Sequence, residues 1–121
     1  MRNQPKYKFF ANWGYALAGL AEIWRSERSF RLEIFVFIPL LVSLFFWNFG
    51  LVWNLALVFG AIFTLVIECI NSSIERVVDL SHPDFHPLAG AAKDTASTAV
   101  MLTLSLNFAL WVCAICGKIF G

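Results

Sequence analysis

Five side chains capable of polar chemistry recur within one short stretch: Glu68, Asn71, Ser72, Glu75 and Asp79. Counted from Glu68, the others follow at offsets of three, four, seven and eleven residues. On an α-helix these positions cover an arc of only about 100°, so three carboxylates, an amide and a hydroxyl form one strip. Glu68 then lies about 16 Å along the axis from Asp79. Clustered carboxylates hold divalent cations, which prefer oxygen ligands and often bridge phosphates, and a separate carboxylate can take a proton from a hydroxyl. A second run, Asp94, Ser97, Thr98, Met101 and Ser105, also falls on one helical arc, with Lys93 at its start. Neither a Walker A pattern nor a kinase-type glycine-rich loop is present, so any use of ATP must be of an unrelated kind.

The elements that carry these groups are apolar. The 121 residues are 60% hydrophobic and 14% charged, with a mean hydropathy of +0.72. A soluble domain averages about 45–50% apolar and about 25% charged residues, so the chain is expected to be an all-α membrane protein. Its length allows a single domain over residues 1–121. A net charge of +1 gives no field that would favour nucleic acid. No Asp, Glu, Lys or Arg occurs between Glu33 and Glu68, or between Asp94 and Lys118. A spanning helix needs about 20 apolar residues, and these gaps hold three spans. Trp47-Asn48-Phe49-Gly50 breaks the first gap as an interfacial turn. No short apolar segment with a cleavage site follows Met1–Lys6, so the spans themselves are expected to direct insertion.

Ahead of the spans, Phe10, Trp13, Leu17, Leu20 and Trp24 recur at helical spacing, with Asn12, Tyr15, Gly19 and Glu22 on the opposite side. With Lys6 and Lys8 before it, this segment (about 7–26) suits the membrane surface, the alternative being a helix packed on the bundle. A charged hinge over Arg25–Glu33 leads to a first span expected from about Ile34, within a membrane helix of about 30–48, and Pro39 lies inside it. The further helices are expected over about 51–80 and 90–119, separated by Ser81–Pro87, where two prolines exclude regular helix. Arg2, Lys6, Lys8, Arg25, Arg28 and Arg31 precede the first span, and Arg76 and Lys93 flank the second loop. The positive-inside rule then puts the N-terminus and the His82–Pro87 loop in the cytoplasm and the C-terminus on the far side.

A carboxylate as deep as Glu68 costs roughly 2.5–3.5 kcal/mol on insertion scales. Asn and Ser commonly join membrane helices by hydrogen bonds, and that plain packing role accounts for Thr98 and Ser105. It does not account for three acids on one strip. Of the three cysteines, Cys69, Cys113 and Cys116, the last two match C-x-x-C but lie inside an apolar span, where they read as small filler. His82 and His86 are four apart, yet Pro83 and Pro87 deny them the shared helical face of a zinc pair.

Ile67-Glu68-Cys69-Ile70-Asn71-Ser72-Ser73-Ile74-Glu75-Arg76-Val77-Val78-Asp79 resembles the E-x-x-N-x-x-I-E-x-x-V-D signature of the prokaryotic diacylglycerol kinase family. Ala92-Lys93-Asp94 with Ala99-Val100 is similar to its second block, and Glu27-x-x-Phe30-Arg31-x-Glu33 to the segment before its first span. The resemblance covers nearly the whole chain. It implies a small homotrimeric kinase of the bacterial cytoplasmic (inner) membrane, with three membrane helices and a surface helix. Such a kinase transfers the γ-phosphoryl of Mg-ATP to a lipid alcohol at sites between subunits. Carried over by motif, Glu68 is implied as general base, and Glu27 and Glu75 as ligands of Mg2+. Asn71, Lys93 and Asp94 join them around the nucleotide, with Tyr15, Asp84, Phe85 and His86 as further nucleotide contacts. Lys8, Trp24, Arg31 and Ser97, together with Glu68, are implied on the lipid side. Lys8 stands where relatives often have arginine, which makes any phosphate or headgroup contact there one of point charge.

Members of this family phosphorylate diacylglycerol or undecaprenol. Phe85–Ala89 and Glu27–Arg31 look like the undecaprenol kinases, while Arg31-Leu32-Glu33 and the chain length look like the diacylglycerol kinases, and diacylglycerol is favoured. Two other classes compete. A small proton-coupled drug transporter wants four spans and an isolated Glu. A non-enzymatic packing subunit leaves the costly Glu68 without a purpose.

Overall fold

The computed structural model describes residues 8–121 and contains four helices: α1 (Phe9–Ser26), α2 (Arg28–Trp47), α3 (Leu51–Ser81) and α4 (Pro87–Phe120). Arg2 and Lys6, two of the residues used to orient the chain, lie outside the described residues. Three helices, α2, α3 and α4, are long and apolar enough to cross a membrane. This is a multi-pass, all-α membrane architecture. At 1.5 Å per residue the 31 residues of α3 measure about 46 Å.

The apolar face expected on α1 is left uncovered: Phe10, Trp13, Leu17, Leu20 and Trp24 are exposed, and only Ile23 is buried. Within this chain no other helix covers the face, and a face of this kind suits a membrane surface. The break after α1 is one residue, Glu27, whose extended backbone (φ −110°, ψ 109°) separates two helices that otherwise abut. The Arg31 guanidinium donates to the carbonyl oxygens of Trp24 at 2.5 Å and Arg25 at 3.0 Å. These are carbonyls that the end of α1 leaves without helical partners. α2 starts at Arg28, close to the helix expected over about 30–48, and the hinge expected over Arg25–Glu33 is corrected to Glu27 alone, so Ser29 and Glu33 are helical and share one face. α2 continues through Pro39.

Asn48, in the left-handed conformation at φ 58°, and Gly50, at φ 101°, reverse the chain between α2 and α3. Trp47 stacks on Phe49 at 5.2 Å, and Lys118 Nζ donates to the Asn48 carbonyl at 3.2 Å, tying the end of α4 to this turn. At the other end, His86 caps α4 by accepting from the Leu88 N–H at Nδ1, 3.1 Å, with Pro87 at the first helical position.

α3 and α4 pack most extensively, and α2 lies against α3. Leu44, Leu57, Trp111 and Ala114 form the apolar core near the Asn48 turn. Deeper along the α3–α4 seam a buried polar knot replaces hydrocarbon. Asn107 Nδ2 lies 3.0 Å from the Gly60 carbonyl, 2.5 Å from Thr64 Oγ1 and 3.1 Å from the Thr103 carbonyl. Gly60 permits this approach, since a Cβ there would lie 2.7 Å from Asn107 Oδ1. Small residues let membrane helices approach closely enough for such bonds.

Candidate active site

The acidic strip of α3 gains its partners from α2 and α4. Glu68 is buried, with 4% of its surface exposed, whereas Asn71 and Glu75 are half-buried and Asp79 is exposed. Exposure thus rises along the strip toward the loop that joins α3 to α4. Ser72, also buried, donates its hydroxyl to Glu27 Oε1 at 2.9 Å. The extended backbone at Glu27 lets this residue leave the α1–α2 path and reach α3. One turn onward, Asn71 Nδ2 donates to Glu75 Oε1 at 3.0 Å. Lys93 from α4 pairs with Asp79 at 2.5 Å.

The donor set suits a hard cation. Asn71 Oδ1 is buried and unpartnered, beside Glu75 and one residue from the Ser72 that holds Glu27. An unpaired buried acceptor is costly, and a cation offers it a partner. Oxygen donors from two carboxylates and an amide fit Mg2+, which takes such ligands and retains water.

Two residues beside Glu68 escaped the sequence reading. Ser29 Oγ donates to Glu68 Oε2 at 3.4 Å, and Glu33, one turn along α2, lies beside the Glu68 carboxyl. Their signal was available: Ser29 and Glu33 are four apart, and Glu33 is the last acid before the first charge-free gap. Placing both in a hinge hid that spacing. A latch also escaped notice, in which Arg76 donates to Ser26 Oγ at 2.6 Å and lies 3.7 Å from Glu22, fastening α1 to α3. Glu22 also pairs with Arg25.

The remaining site residues named from sequence are mostly at the surface. Lys8, Tyr15, Trp24, Asp84, Phe85, Asp94 and Ser97 are exposed, and Arg31 is half-buried over the end of α1. Trp24 packs edge-on against Phe35 at 5.9 Å. Among the described residues, neither Asp84 nor Asp94 enters an ion pair. The His82 and His86 rings do meet, with centroids 4.8 Å apart, although no helix carries both.

A groove of about 400 Å³ runs between α2 and α4. Val36, Leu40, Leu104, Phe108 and Trp111 line it, and Glu33 joins them at the Glu68 level. Its walls are almost wholly apolar, so hydrocarbon suits it better than water.

Residues 14–115 match the family model for prokaryotic diacylglycerol kinase, and this segment includes every strip residue. The chain is 37% identical to a diacylglycerol kinase of Helicobacter pylori over 80% of this chain and 76% of that protein. It is 30% identical to the diacylglycerol kinase of Escherichia coli over 89% of this chain and 88% of that one. A third diacylglycerol kinase, from Haemophilus influenzae, is 30% identical over 80% and 82%. The buried-to-exposed acidic strip, the three spans and these matches agree: the chain belongs to the prokaryotic diacylglycerol kinase family.

Proposed function

We propose that this chain phosphorylates the hydroxyl of a membrane lipid at the expense of ATP, with diacylglycerol as acceptor and phosphatidic acid as product. The observation that carries this reading is the gradient along α3, from buried Glu68 to exposed Asp79. A water-borne nucleotide reaches the exposed end, and a lipid hydroxyl reaches the buried one. The apolar groove between α2 and α4 supports it, since it offers a lipid chain a seat beside Glu33 and Glu68.

In this reading Glu68 accepts the hydroxyl proton as the lipid oxygen attacks the γ-phosphorus of ATP, and ADP departs. Glu27 and Glu75, with Asn71 Oδ1, would hold Mg2+. The ion supplies charge neutralisation across the phosphates when bound. Asn71, Glu75, Lys93 and Asp94 border the nucleotide, with Tyr15 and the Asp84-Phe85-His86 loop beyond them. Lys93, paired with Asp79, supplies a cation for the phosphates, and Trp24, Arg31, Ser97 and Lys8 flank the lipid. The whole chain acts as one domain in a homotrimer of the bacterial inner membrane, with its N-terminus cytoplasmic.

Purified protein in mixed micelles with γ-labelled ATP tests the reading. Label is expected in phosphatidic acid when diacylglycerol is supplied. Label only in undecaprenyl phosphate moves the assignment to the other lipid alcohol, and label in no lipid sinks the kinase reading. Glu68→Gln is expected to lower turnover by about 10²–10⁴-fold with nucleotide binding retained. Near-normal turnover in that variant removes Glu68 as base.

A further inference from the structure

Resting on the reading of Glu27 and Glu75 as metal ligands, we propose that Arg76 is a positioning residue for the cation they hold. Its guanidinium fastens the end of α1 to α3 and so fixes the backbone from which Glu27 reaches the site. Glu27 travels with α1, because its N–H closes the last turn of that helix on the Ile23 carbonyl at 2.9 Å. Packing holds α1 only loosely. Among the described residues Ile23 is the only one that α1 buries, and a cavity of about 390 Å³, bordered by Ala16, Gly19, Cys69 and Ser73, lies between α1 and α3. What spans the gap is polar. Ser72 donates its hydroxyl to Glu27 Oε1 at 2.9 Å, and one turn along α3 Arg76 donates to Ser26 Oγ at 2.6 Å.

Two bonds one turn apart on α3 thus hold two successive residues, Ser26 and Glu27. A single bond is a pivot, whereas a pair fixes an orientation. Ser26 is set for this role: its hydroxyl proton goes to the Glu22 carbonyl at 2.8 Å, which leaves the oxygen's lone pairs for Arg76. The same guanidinium nitrogen lies 3.7 Å from Glu22 Oε1, an ion pair too exposed to contribute much beside the charge-assisted bond to Ser26. Ser72 aims the Glu27 carboxylate, and Arg76 holds the backbone behind it. Charge alone would work the other way. Arg76 follows Glu75 and is bonded beside Glu27, so its positive charge repels a cation held by those two carboxylates. Deleting it tightens the ion if charge decides and loosens it if position decides. Position is expected to win, because the Arg76 side chain is exposed and water screens its repulsion.

Mn2+ binding to the full chain in detergent micelles, read by electron paramagnetic resonance without ATP or lipid, tests the sign. Arg76→Met is expected to raise the Mn2+ Kd by about tenfold, and Arg76→Lys by about threefold, since an ammonium keeps the charge and loses the fork. Ser26→Ala leaves every charge in place and is expected to raise the Kd by about threefold. In a Glu27→Ala background, Arg76→Met should add nothing. A tighter or unchanged Kd in Arg76→Met, or its full effect in the absence of Glu27, overturns the assignment. So does an unchanged Kd in Ser26→Ala, which needs no Arg76 variant to fold, and so does a parent that binds no Mn2+. In lipid phosphorylation the same variants should raise the Mg2+ midpoint, with kcat at saturating Mg2+ within about twofold of the parent. If the Kd shifts as expected but no lipid is ever labelled, the kinase reading fails while the role of Arg76 stands.

Discussion

Ser72 does little by itself, yet its hydroxyl decides where Glu27 points. Glu27 comes from an extended link between two helices, so no helical register fixes its side chain. A single bond of 2.9 Å to Ser72 does so instead, one turn from Glu75. Ser72→Ala is therefore expected to raise the Mg2+ concentration for half-maximal activity by about tenfold, the equivalent of a hydrogen bond of about 1.4 kcal/mol. A Mg2+ titration of lipid phosphorylation measures this, and an unshifted midpoint would show that Glu27 is placed by something else. The strip itself was legible in the sequence, because five polar residues at helical spacing inside an apolar run have one geometric meaning. Ser29 and Glu33 were not legible as partners of Glu68. Their own spacing was visible, but the residue they face lies 39 positions from Ser29 and belongs to another helix.

At the level of elements, the sequence located four helices because hydropathy, proline and glycine punctuate them plainly. It made the break between α1 and α2 too long, since only Glu27 interrupts the helices. Charges at Arg28, Arg31 and Glu33 resemble a loop, yet Arg31 makes the junction compact by taking the last carbonyls of α1. The packing of α3 on α4 was likewise hidden, since Gly60 and Asn107 are 47 residues apart and neither stands out in an apolar run. That seam carries its own prediction. Gly60→Ala forces a Cβ against Asn107 Oδ1, and overpacking of this kind costs about 1–3 kcal/mol. Unfolding in detergent should show the loss, with turnover per folded molecule little changed because the strip lies elsewhere on α3. A variant of parental stability would mean that the α3–α4 seam yields more readily than a packed membrane interface should.

For the whole molecule, the three helices long enough to span predict that Lys8 and Lys118 lie on opposite sides of the membrane. The proposed orientation puts Lys8 with the nucleotide and Lys118 away from it. Lys8→Cys and Lys118→Cys, each in a background lacking the three native cysteines, should label from opposite faces of sealed inner-membrane vesicles. Inverted vesicles are expected to expose position 8, and labelling of position 118 there instead would reverse the assignment and remove the strip from cytoplasmic ATP.

The length of α3, about 46 Å against a hydrocarbon layer of about 30 Å, has a consequence for the host membrane. A helix that overshoots the oily layer by some 16 Å works as a depth gauge, with its two reactants read off at different marks. Glu68 keeps a constant height above the Asn48–Gly50 turn, whereas the level at which lipid headgroups float depends on the surrounding bilayer. Stretching or thinning that bilayer by a few Å slides the alcohol past the carboxyl that must meet it. Turnover in vesicles of increasing acyl length, with one fixed short-chain acceptor, should therefore rise to an optimum and fall again. A flat response would mean that the protein carries its own lipid depth with it.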